Sequence, residues 1–223
     1  MDTPLAAALR TATRTEHEQA EHMPFVGELM AGRLPLAAYV DLLSQHHAIY
    51  HALEAAEPFV RADCAGASVV VDGLARSGSI ESDLAVLCGP TWRDGLRVLP
   101  ATRRYVDRLR ATAQTWVGGY VAHAYTRYLG DLSGGQAIRT VLRRTMAVPD
   151  DALAFYTFAS IPKPKLFKDA YRARLDALPF GVDERARVID EARVAFRLNA
   201  DVFADLGAVH LPAVRREPAT DVA

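Results

Sequence analysis

The chain has 223 residues, 50% of them hydrophobic and 24% charged, with a formal net charge of −1. That length suits one compact domain able to bury a sizeable core, and the near-neutral balance excludes the overall basic footprint that nucleic-acid binding usually leaves. The two cysteines, Cys64 and Cys88, stand in neither CxxC nor CxxCH spacing, which gives no support to a disulfide framework, a zinc knuckle or CxxCH-type cofactor attachment and fits a reducing cytoplasm.

In chain order, Leu5, Ala8, Leu9, Ala12 and Glu16 follow one helical face and predict a first amphipathic helix. Its short apolar patch meets Arg10 and Arg14 at once, unlike the long apolar core of a signal peptide, so it reads as mature protein. After breaks at Met23-Pro24 and from Gly32 to Pro35, a second face runs through Leu36, Tyr39, Val40, Leu43, His47, Tyr50, His51 and Glu54. The run SVVVDG, Ser68 to Gly73, is β-like but short and unpartnered, and is assigned to a loop or helix start. Further punctuation falls at Gly89-Pro90, Pro100, Val148-Pro149, Ile161 to Pro164 and Pro179 to Gly181, leaving about eight helices. The last is expected from an N-cap near Asp183 to Leu206, stopped by Gly207. These signals predict an all-α single domain over 1–207 and a polar, disordered tail over 208–223. No apolar run approaches the roughly 20 residues needed to span a bilayer.

The stretch YLGDLSGGQAIR, Tyr128 to Arg139, holds the letters LSGGQ, familiar from transporter ATPases. An ATPase also needs a Walker A loop, and the chain has no Gly-Lys pair. The alternative is that Gly130, Gly134 and Gly135 lie in a helix, each costing about 1 kcal/mol relative to alanine. Gly130 and Gly134 share a face, which admits either close helix packing or the approach of something flat or bulky to the backbone.

AYTRYLGDLSGGQ (Ala124 to Gln136), together with TRTEHEQAE (Thr13 to Glu21), FYTF (Phe155 to Phe158), LFKDAYRARLDAL (Leu166 to Leu178) and AFRLNADVF (Ala195 to Phe203), resembles the haem (heme) oxygenase family. The matches keep the family's order from about Leu9 to Leu206. The resemblance implies haem b as both cofactor and substrate, sandwiched between a proximal and a kinked distal helix. Haem would be opened with dioxygen and external electrons to biliverdin, carbon monoxide and ferrous iron. His17 matches the proximal iron ligand and Glu21 the acceptor of its other ring nitrogen, an arrangement that fixes tautomer and basicity. Taken alone, a histidine in so polar a helix is a surface residue.

The same resemblance makes Gly130, Gly134 and Gly135 the distal glycines and Asp131 the catalytic aspartate that organises proton-delivering water. Without it, an i,i+4 ion pair between Asp131 and Arg127 is the plainer reading. Arg10, Tyr125, Lys168 and Arg172 match propionate-binding positions, and retention of Lys168 and Arg172 implies cleavage at the α-meso carbon. Phe196, Asn199, Phe203, Phe25 and Val26 match pocket-lining residues, although apart from the resemblance Phe203 reads as core.

Other histidines carry less. His47 and His51, with His46 adjoining, have the spacing of a two-histidine metal site but no HExxH glutamate. His123 is excluded as an iron ligand on the family pattern, and Cys64 and Cys88 lack the surroundings of a thiolate haem ligand. No Rossmann, flavin or iron–sulfur motif appears, so a ferredoxin, flavodoxin or reductase must supply electrons. Arg93, Arg97, Arg103, Arg104, Arg108, Arg110, Arg139, Arg143 and Arg144 offer a basic docking surface. Without the membrane tail of animal members, the chain resembles the cytoplasmic, bacterial iron-acquisition type. A haem carrier or sensor on the same fold is the alternative, against which Asp131 and the glycines argue.

Overall fold

The computed structural model describes residues 3–211. Among them there is no strand, and the expected all-α fold is realised as ten α-helices joined by loops and short 3-10 turns. Prolines open several of these helices where a missing N–H costs nothing, as at Pro24, Pro100 and Pro164.

The first predicted helix is two: α1 (Leu5–Ala12) and α2 (Arg14–Glu21). They part at Thr13, whose hydroxyl donates back to the Leu9 carbonyl at 2.8 Å, a local bond that competes with regular helix. α1 buries Leu5, Ala6 and Leu9, whereas α2 buries only Ala20, leaving its polar face free. α3 (Pro24–Met30) follows.

The central helix is α4 (Leu36–Glu54), which buries Tyr39, Leu42, Leu43, His46, Ile49, Tyr50 and Leu53. The sequence pattern had placed His47 on this inward face. The true inward residue is His46, and His47 turns toward Glu81, 3.1 Å away. α5 (Glu57–Ala62) leads into the SVVVDG region, which forms 3-10 turns at Gly66–Val69 and Asp72–Leu74, as a loop reading requires. α6 (Ser77–Cys88) and α7 (Pro100–Thr112) both pack on α4.

Two 29-residue helices, α8 (Val117–Thr145) and α10 (Val182–His210), pack along each other, with α9 (Pro164–Asp176) between them in sequence. α10 starts after Gly181 and continues through Gly207 to His210. Gly207 does not stop the helix because it does not take the left-handed conformation of a helix-ending glycine. The helix therefore continues past 207, and 212–223, most of the expected tail, lie outside the described residues.

Two buried charges fasten the 150–158 segment beneath α8. The Asp83 carboxylate accepts from the backbone N–H groups of Ala154 at 2.8 Å and Phe155 at 2.9 Å. Burial pushes its pKa up to about 6, against the pull of those same bonds. Arg76 donates to the carbonyls of Phe155 and Thr157 and lies 4.0 Å over the Phe158 ring. Phe155 and Tyr156 are thereby held against α8.

Candidate functional site

A cavity of about 340 Å3 opens among α2, α3, α4, α8 and α10, within the range of small-molecule and cofactor pockets. His17 and Glu21 of α2 stand at it one turn apart, with His17 Nδ1 3.3 Å from Glu21 Oε2. That contact leaves Nε2 as the ring nitrogen free to meet a ligand. The His17 ring lies edge-on to Phe196 of α10, with centroids 5.6 Å apart.

α8 presents Gly130, Asp131, Gly134 and Gly135 to the same cavity. A Cβ added at Gly130 or Gly134 would meet nothing within 4 Å, so this strip of backbone faces open space. Gly135 differs: its Cβ would come 2.9 Å from the Tyr156 ring, so its glycine is needed for packing. Asp131, half-buried, accepts a hydrogen bond from the Tyr50 hydroxyl. Burial raises its pKa, opposed by the Arg127 charge.

Arg127 does not form the i,i+4 ion pair with Asp131. It donates to Asn199 Oδ1 at 2.6 Å and His46 Nδ1 at 2.9 Å, and its guanidinium carbon lies 4.8 Å over the Tyr50 ring. Asp131 is therefore free to act with Tyr50 at the cavity wall.

The other expected residues divide. Val26, Phe196, Asn199 and Phe203 line the cavity. Phe25 does not; it is fully buried, stacked on Phe203 at 6.4 Å, and backs the wall from the core. Arg10, Tyr125, Lys168 and Arg172 are not among the residues that line the cavity. Lys168 Nζ donates to Ser133 Oγ at 3.0 Å, between the two open glycines. Tyr125 has a pKa raised by burial and opposed by the nearby charges of Arg172 and Arg10.

A family model described as heme oxygenase matches residues 3–205. The chain is 37% identical to rat heme oxygenase 1 over 94% of this chain and 73% of that protein. It is 35% identical to heme oxygenase 1 of Synechocystis over 92% of this chain and 86% of that one. The chain belongs to the heme oxygenase family. The crystal structure of Synechocystis heme oxygenase-2 in complex with heme and NO superposes with a TM-score of 0.89 at 34% identity, covering 93% of this chain and 86% of that one. The fold is therefore the all-helical haem oxygenase fold.

Within this haem oxygenase fold, His46 and Tyr50 of α4 are site residues that the sequence reading did not assign. Their signal was available, since Tyr39, Leu42, Leu43, His46, Ile49, Tyr50 and Leu53 form a more continuous helical stripe than the one drawn through His47 and His51. His47 instead joins Glu81 and Arg93. Among the described residues no group of three His, Cys, Asp or Glu could hold a metal ion. His123 is sealed in the core, bonded at 3.0 Å to Glu191. Burial would raise the Glu191 pKa, but His123 and Arg108 hold it down to about 2.

Most of the expected basic surface is neutralised locally. Arg93 pairs with Glu81, Arg104 with Asp201, Arg108 with Glu191, Arg110 with Asp107, and Arg139 and Arg143 with Asp150. Cys64 and Cys88 are free and exposed, and among the described residues no helix is long and apolar enough to cross a membrane.

The glycines give a paired prediction. Gly130→Ala should raise the melting temperature of the unloaded protein, because helical glycine costs about 1 kcal/mol relative to alanine and the new Cβ meets open space. The same variant should bind hemin more weakly, since the methyl enters the cavity. Gly135→Ala should lower the melting temperature, by about 1–3 kcal/mol of overpacking against Tyr156. Thermal melts with a hemin titration check both.

Proposed function

We propose that this protein is a haem oxygenase in activity: it binds haem b and opens the macrocycle, at the α-meso carbon, to biliverdin, carbon monoxide and ferrous iron. The observation that carries this reading is one cavity joining a Glu21-backed His17 to the side-chain-free strip of Gly130 and Gly134 beside the Asp131–Tyr50 pair. A haem carrier needs the histidine and a grip on the propionates, but it has no use for a hydrogen-bonded carboxylate at the cavity.

The residues present fit the group. His17 would hold the iron through the nitrogen that Glu21 leaves free, and the apolar walls from Val26, Phe196 and Phe203 would take the ring. Arg10, Tyr125, Lys168 and Arg172 would hold the propionates at the mouth; that grip sets the rotation of the ring and so underlies the α-selectivity. Bound haem would supply the iron at which dioxygen is activated. On the α8 side, bare backbone at Gly130 and Gly134 leaves room for a small ligand and water. Asp131, fixed by Tyr50, would order that water and pass protons through it. Electrons would come from a ferredoxin, flavodoxin or reductase in the cytoplasm, and Arg97, Arg103 and Arg144 are the cations of the basic surface with no carboxylate partner among the described residues.

The test is to load purified protein with hemin and follow visible spectra in air after adding a reductase system, with catalase present to remove peroxide. Decay of the Soret band with growth of biliverdin absorbance is the expected result. A stable haem spectrum with every donor tried would assign the protein to haem carriage instead.

A further inference from the structure

We propose that His46 is a positioning residue of the oxygen-activating site: it accepts a hydrogen bond from Arg127 through Nδ1 and offers its Nε2–H to water in the cavity. The proposal rests on the enzymatic reading above for its role in turnover, but its geometry is independent of that reading.

The hydrogen-bond accounting fixes the chemistry of the ring. Arginine donates and cannot accept, so the 2.9 Å contact between Arg127 Nη2 and His46 Nδ1 requires an unprotonated Nδ1. A neutral imidazole then carries its proton on Nε2. His46 is held neutral by burial and by the adjacent Arg127 charge, which both lower its pKa well below the ordinary value. Among the described residues Nε2 has no acceptor, yet it is not sealed in the core, and His46 lines the cavity. The ring cannot swing away to find another partner: Phe155 lies against it at 5.2 Å and Tyr50 stands edge-on at 6.3 Å.

What His46 grips matters as much. Arg127 is pinned from two helices, by His46 of α4 and by Asn199 of α10, and lies over the ring of Tyr50, which itself donates to Asp131. The orientation of one guanidinium is thus shared between the water-facing imidazole and the tyrosine that holds the catalytic carboxylate. A leucine would fill the same space among Leu42 and Phe155, so packing alone does not call for histidine here. A leucine would, however, leave Arg127 without its α4 acceptor and the cavity without a donor.

The test uses nitrogen NMR of the full-length unloaded protein near neutral pH, alongside turnover of the hemin-loaded protein. His46 should appear as the Nε2–H tautomer, and the Arg127 guanidinium protons should be protected from exchange. In His46→Leu that protection should be lost, hemin affinity should stay the same, and the rate of biliverdin formation should fall about tenfold, the scale of losing one hydrogen bond. In His46→Asn, whose amide oxygen can stand in for Nδ1, Arg127 protection should return in part even if the leucine variant folds poorly. An Nδ1–H tautomer, or a folded leucine variant with wild-type turnover, would overturn the proposal. Wild-type protein with the expected tautomer but no biliverdin would instead refute the enzymatic reading, and with it the role in turnover, while leaving the His46–Arg127 bond intact.

Discussion

His17→Ala is expected to abolish biliverdin formation while leaving the fold intact. The side chain is 49% exposed, and α2 buries only Ala20, so its removal should change stability by no more than about 0.5 kcal/mol, as for other surface substitutions. The loss falls on haem. Removing a supporting partner of a metal ligand costs about 10- to 100-fold in affinity or activity, and removing the ligand itself should exceed that. A hemin titration followed in the Soret region, with the melting temperature as control, measures both sides. Added imidazole should restore the ligated spectrum without restoring the fold, because the fold was never lost. Full turnover by the alanine variant would place the iron ligand elsewhere and undo the site assignment.

Much of this architecture was legible because helices announce themselves through period and punctuation. Pro24, Pro100 and Pro164 mark helix starts, and the glycine-rich 66–78 stretch gives turns rather than a strand. What escaped the sequence reading has physical reasons. The break at Thr13 depends on one hydroxyl bonding a carbonyl four residues back, which competes with helix only in its context. α4 is buried on so much of its circumference that its apolar pattern admits two phases; the face through His47 and His51 shares Tyr39, Leu43 and Tyr50 with the inward one but misses His46. Helical spacing correctly put Gly130 and Gly134 on one face, but it could not show that Gly135 answers to Tyr156 from a distant turn. The Asp131–Arg127 spacing suggested a pair, and long-range partners at His46, Tyr50 and Asn199 replaced it. Likewise Phe25 and Gly207 needed tertiary packing to be read, the one as core behind the wall, the other as part of the last turn of α10.

Asp131→Asn is expected to separate haem binding from haem cleavage. The amide matches the carboxylate in shape, and its oxygen can still accept from Tyr50, so the cavity and the His17 side are unchanged and hemin should bind as in the wild type. The charge is lost, and with it the ability to take up and release a proton. Burial raises the Asp131 pKa, with Arg127 pulling the other way, so its carboxyl holds a proton at higher pH than an exposed aspartate would. That brings it closer to the working pH, where a proton-transfer group is most effective. Positioned acid–base groups contribute about 10²- to 10⁴-fold, and the rate of biliverdin formation should fall by a factor in that range while the Soret band persists. The wild-type rate should also carry a pH dependence that the amide variant lacks, a signature that mere distortion of the cavity would not produce. If the variant instead turned over normally with the wild-type pH profile, protons would reach the reaction through water alone, and the Tyr50–Asp131 bond would be a device for shaping α8 against α4.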